Sequence, residues 1–111
     1  MKISRNDRDG IAILKLEGKI MGGPDADLFQ TQVKDLLAEG QNKVLLDLGK
    51  VSWVNSTGLG ILISGHKTIE NSGGSMKLLG VNKRIDQIFM VTRLNTVFEA
   101  FDDEADAMAS F

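Results

Sequence analysis

Asn55-Ser56-Thr57-Gly58-Leu59-Gly60 sets a hydroxyl pair where a β-compatible run gives way to an apolar helical pattern. Hydroxyls at a helix start can cap the backbone, bind an anion or serve as nucleophiles. A nucleophile needs a base within hydrogen-bond reach, and the only histidine, His66, lies ten residues further along the same predicted helix, about 15 Å of rise. Ser64 and His66 are two residues apart and so point to different sides of that helix, which leaves no local serine and base pair. His66 shares a face with Leu59, Leu62 and Ile63 and is expected to pack there.

The remaining chemistries lack their parts. With no cysteine, thiolate metal sites, disulfides and cysteine nucleophiles are excluded. No Gly-Lys-Ser/Thr loop and no Gly-x-Gly-x-x-Gly follows a strand, which weakens a nucleotide site, and no cofactor is implied. Asp102, Asp103, Glu104 and Asp106 lack the glycine and distal glutamate of a calcium loop, so no metal is expected. Asn55-Ser56-Thr57 matches a glycosylation sequon only by coincidence, because Met1 to Asp9 is charged and carries no apolar signal core.

The elements that must position Ser56 follow from periodicity. Lys2 to Asp7 and Ile11 to Leu16 flank Arg8-Asp9-Gly10, a hairpin signal. Gly22-Gly23-Pro24-Asp25 breaks the chain, and Pro24 suits the first turn of a helix. Phe29, Val33, Leu36 and Leu37 give that helix an apolar face and Gly40 stops it. Val44 to Leu48 reads as a central strand covered on both faces, and a helix capped by Ser56 runs from there through Leu59, Leu62, Ile63, His66 and Ile69 to Asn71-Ser72-Gly73-Gly74. Met76 to Leu79 predicts a strand, Ile85, Ile88 and Phe89 a third helix, Val97 to Phe101 a last strand, and Asp103 to Ala109 a short terminal helix.

That order implies an α/β fold, a single domain over residues 1–111 with a mixed sheet of four to five strands and four or so helices packed mainly on one face. The size agrees: 111 residues, 42% hydrophobic and 25% charged, suit one globular core. A net charge of −2 gives no general attraction for nucleic acid or anionic membrane, and Lys83, Arg84 and Arg93 are read as a solvated face. The acidic tail, Glu99 to Asp106, is read as a solvated helix. No apolar run reaches the roughly 18 residues that span a bilayer, which places the chain in the cytoplasm.

Val51-Ser52-Trp53-Val54-Asn55-Ser56-Thr57-Gly58-Leu59-Gly60-Ile61-Leu62 closely resembles the signature of STAS domains, nearest the bacterial anti-sigma factor antagonists. The likeness extends to Leu16-Glu17-Gly18-Lys19-Ile20, Val44-Leu45-Leu46-Asp47-Leu48 and Gly73-Gly74-Ser75-Met76-Lys77-Leu78, in the family's order and spacing. The resemblance implies that Ser56 is phosphorylated by an anti-sigma factor that is also a serine/threonine kinase. Unphosphorylated chain would bind that kinase, phosphorylated chain would be released, and a serine phosphatase of the metal-dependent type would reset it. The family's usual Asp before this Ser is Asn55 here, which keeps size and capping capacity and removes a charge. That charge could assist phosphoryl transfer or repel the product phosphate, and both remain open.

On this reading the partner surface comprises Met21, Gly22, Asn55, Ser56, Thr57, Gly58, Leu59 and Gly60, with Gly58 and Gly60 admitting close approach. Met21 suits core and interface equally, while Met90 and Val91 are expected in the core. The alternative implied by the same resemblance is a non-phosphorylated docking subunit of a transporter complex or stress-sensing assembly. An enzyme is not expected.

Overall fold

Strand pairing in the computed structural model, which describes residues Met1–Phe111, builds one five-stranded sheet in the order β1-β2-β3-β4-β5. The strands are β1 (Lys2–Arg8), β2 (Ile11–Ile20), β3 (Lys43–Val54), β4 (Ser75–Leu79) and β5 (Ala100–Phe101). Between them lie α1 (Pro24–Ala38), α2 (Ser56–Asn71) and α3 (Lys83–Val91), and α4 (Glu104–Ala109) ends the chain. The Asp9-Gly10 turn, both residues at positive φ, makes β1 and β2 antiparallel, and every later pair is parallel.

Strand order advances one neighbour at a time, and right-handed crossovers stepping in one direction drop successive helices on the same face. Phe29, Val33 and Leu36 of α1, Leu59, Ile61, Leu62 and Ile69 of α2, and Ile85 and Phe89 of α3 accordingly share one core with Leu14, Leu46 and Leu78 of the sheet. The period-2 alternation sends Ile11, Ile13, Leu45 and Leu79 to the opposite face, where Ala107 of α4 covers them. The two-sided burial expected of the central strand is therefore met by unequal layers.

Two expected strands have different lengths. β3 runs on past Leu48 to Val54, with Val51 and Val54 buried, and its extension pairs only with β2 because β4 ends opposite Asp47. The Asn82 side chain, which caps α3, donates from Nδ2 to the Val51 carbonyl at 3.0 Å, occupying the edge where β4 would have continued. The strand expected over Val97 to Phe101 shrinks to Ala100–Phe101, because a 3₁₀ turn over Leu94–Thr96 carries the chain first and buries Phe98.

Met90 and Val91 are not core residues: they are 60% and 84% exposed. Helical geometry explains it, since Ile85 and Phe89 define the buried stripe of α3 and the next two positions rotate away from it. His66 packs as expected, its ring edge-on to Phe98 at 5.1 Å and its Nδ1 2.8 Å from Glu70. At the far edge, the Arg5 guanidinium bonds both Asp7 and Glu39, tying the hairpin to the end of α1 and holding the Asp7 carboxyl below its ordinary range.

Candidate functional site

The site forms where the long β2 and β3 strands end side by side, with Ile20 paired to Val54. One step beyond each, the chain turns into a helix, so the loop Met21–Gly23 and the start of α2 are neighbours.

Asn55 holds them together. Its backbone is extended (φ −91, ψ −178) and its Oδ1 accepts from the Gly58 amide at 2.7 Å, which makes Asn55 the N-cap of α2. The cap expected at Ser56 therefore moves back one residue, and Ser56 is the first residue of the helix. The other half of the Asn55 side chain donates from Nδ2 to the Met21 carbonyl at 3.0 Å. Because Oδ1 faces an N–H and Nδ2 faces a carbonyl, the network fixes the orientation of the amide. The Met21 amide in turn donates to Asp25 Oδ2 at 3.3 Å, and the Asn55 amide to the Ile20 carbonyl at 3.3 Å. Both main-chain groups of Met21 are thus tied, and its side chain, 46% exposed, is presented to solvent from a fixed position.

A carboxylate at position 55 could cap the helix but could not donate to Met21. Asn55→Asp is expected to lose about 1 to 2 kcal/mol of stability, the cost of an oxygen facing an unpaired carbonyl less the small gain of charge at a helix N-terminus. Urea unfolding beside Asn55→Ala checks this: an Asp variant as stable as the parent would mean that the bond to Met21 contributes nothing.

Ser56 and Thr57 are exposed, and their amides have no intrahelical acceptor. The Ser56 hydroxyl makes no hydrogen bond within the chain and is free for an incoming group. No acidic residue stands in the first turn of α2, so nothing there opposes an anion. The Thr57 methyl lies over Gly22, where an added Cβ would come within 2.6 Å of it and where φ is +105. Glycine at position 22 meets both demands, the left-handed turn and the close methyl.

The eight expected surface residues divide. Met21, Ser56, Thr57 and Gly60 are exposed, and Gly22 and Asn55 are half-buried. Gly58 and Leu59 are buried, a correction with a plain cause. Gly58 admits its own chain rather than a partner: a Cβ there would lie 2.0 Å from the Ile20 carbonyl oxygen. Leu59 faces the core at the next helical position. Gly60 has nothing within 4 Å and leaves the outer surface of α2 flat. The hydrogen bond that Asn55 donates to Met21 is not legible in the sequence, since no spacing rule joins residues that follow two separate strands.

Comparison with known proteins agrees with this fold. The family model described as STAS domain matches residues 2–107. A Thermotoga maritima protein described as a candidate anti-sigma factor antagonist is 31% identical over 101 residues, 90% of this chain and 88% of that one. A crystal structure of a candidate anti-sigma factor antagonist from the same organism superposes with a TM-score of 0.88 at 28% identity, covering 97% of this chain and 92% of the other. The anti-sigma factor antagonist SpoIIAA in its unphosphorylated form shares the fold, with a TM-score of 0.74 at 12% identity over 98% of this chain and 96% of that one.

Proposed function

The chain belongs to the STAS domain family, and on that premise we propose that it is an anti-sigma factor antagonist switched by phosphorylation of Ser56. The observation that carries the reading is the free, exposed hydroxyl of Ser56 on the first turn of α2, beside a Met21 side chain held out by the Asn55 amide. A hydroxyl there can enter another protein's active site without unfolding anything.

The partner is an anti-sigma factor with serine/threonine kinase activity. It supplies ATP and the base: Ser56 Oγ attacks the γ-phosphorus, its proton goes to the kinase, an O–P bond forms and ADP leaves. This chain is substrate and ligand, not enzyme, and needs no cofactor of its own. In the unmodified state it occupies the kinase and frees a sigma factor, so transcription responds indirectly. A metal-dependent serine phosphatase hydrolyses the Oγ–P bond and restores the binding form. All of this takes place in the cytoplasm, without nucleic acid or membrane contact by this chain.

The neutral Asn55 sets no charge of its own beside the phosphate, which favours the modified state. The test is release from the purified partner kinase on addition of ATP, with the phosphate mapped by mass spectrometry. The parent chain is expected to dissociate and to carry phosphate on Ser56, whereas Ser56→Ala stays bound. A chain that stays unmodified and bound in ATP would instead be a constitutive docking subunit.

A further inference from the structure

Away from Ser56, α3 and the β3 extension enclose an open groove of about 810 Å³, lined by Trp53, Arg84, Gln87, Ile88, Met90 and Val91. Met90 and Val91 are two of the five large apolar side chains the surface leaves exposed. The Arg84 guanidinium lies over the Trp53 ring at 4.8 Å, which holds the indole as one wall. Through Asn82, α3 is bonded to the Val51 carbonyl, four residues before Asn55, so the groove and the Ser56 loop belong to one rigid end of the molecule.

The charge at the groove is opposite in sign to that of the chain. Arg84 is the one charged residue lining it and makes no ion pair, Lys83 and Arg93 stand next to lining residues in the chain and are likewise unpaired, and Asp86 is the one acid on the same helix, in a chain of net charge −2. A largely apolar trough with the unpaired Arg84 in its wall suits an amphipathic helix whose leucine-type stripe is bordered by Asp or Glu. A second copy is disfavoured, because an isologous contact through the groove would bring Arg84 towards its own counterpart. The chain's own acidic segment is engaged elsewhere: Glu104 pairs with Arg8, and Ala107 is buried on the opposite face.

We propose that this groove is a second docking site, taking an acidic amphipathic helix of the protein partner, independent of the charge on Ser56. It rests on the reading of the chain as a partner-binding module, and adds an anchor that survives when the Ser56 contact is broken.

Trp53 is the only tryptophan, so its fluorescence reports the groove directly. The probe is a helical peptide with Leu at i, i+3, i+4 and i+7 flanked by Glu, titrated against a matched peptide carrying Lys instead. The acidic peptide is expected to shift Trp53 emission to the blue and to saturate, with Arg84→Glu and Val91→Asp each weakening it at least about tenfold. Both changed residues are exposed, so the variants fold. Ser56→Asp is expected to respond as the parent does, which separates failure of the groove from failure of the phosphorylation switch. Equal response to both peptides, no response, or acidic-peptide binding that survives both groove substitutions would overturn the proposal. So would a blue shift that grows with protein concentration alone, the sign of a second copy.

Discussion

Gly58→Ala is expected to remove about 3 kcal/mol or more of stability. The added carbon would stand 2.0 Å from the Ile20 oxygen, 2.8 Å from the Ile20 carbonyl carbon and 2.9 Å from Val54 Cγ1. Two of those three atoms are backbone, and they belong to the strand that pairs with β3 at Ile20 and Val54. Relief requires either α2 to lift from the sheet or the end of β2 to leave β3. Lifting α2 uncovers Leu59 and Leu62. Moving β2 displaces the Ile20 carbonyl that the Asn55 amide bonds, and with it the loop carrying Met21. Helix propensity runs the other way, since Ala exceeds Gly by about 1 kcal/mol in a helix interior, and the contact outweighs it. Gly60→Ala supplies the control: on the same helix with nothing within 4 Å, it is expected to be neutral or slightly stabilising. Denaturant midpoints for the two variants decide it, and a Gly58→Ala protein as stable as Gly60→Ala would disprove the close approach.

The pair also shows where sequence reasoning reached and where it stopped. Helical spacing found α1, α2 and α3, and short apolar or β-compatible runs beside turn residues found the strands, because both patterns are written in neighbouring residues. The resemblance located Ser56 for the same reason. What Gly58 touches is decided by a strand 38 residues earlier, and no local pattern distinguishes a glycine that admits a partner from one that admits its own chain. Asn55 taught the same lesson from the polar side. Its capping role is legible one turn away, and Ser56 was an equally good cap by residue type. Only the carbonyl of Met21, brought close by the β2–β3 pairing, makes position 55 better served by an amide that donates and accepts at once. Met90 and Val91 were misassigned because Ile88, Phe89, Met90 and Val91 form an unbroken apolar run, in which periodicity carries no phase.

Ser56→Asp is expected to weaken binding of the proposed partner kinase by about 100-fold while leaving the fold and melting temperature nearly unchanged. The two halves of that result have opposite physical signs at one atom. Within the chain, an anion at the first helical position sits beside amides that have no intrahelical acceptor and meets no other acid in that turn, which is worth about 0.3 to 1 kcal/mol in favour of folding. Across an interface, the same anion must give up water against a surface shaped for a neutral hydroxyl. Leaving one charge imperfectly paired there costs about 2 to 5 kcal/mol, and 100-fold corresponds to about 2.7 kcal/mol. A phosphate, at about −1.5 to −2 charges, should exceed the single charge of Asp. Ser4→Asp, exposed on the edge strand β1 and paired with Lys15 rather than with the end of β2, carries the same charge change outside the loop and is expected to bind as the parent does. Calorimetric titration of the partner with both variants, beside their melting curves, reads the two signs separately. A Ser56→Asp chain that melts well below the parent would mean the hydroxyl is structural, and one that melts and binds like the parent would mean the partner never closes over it.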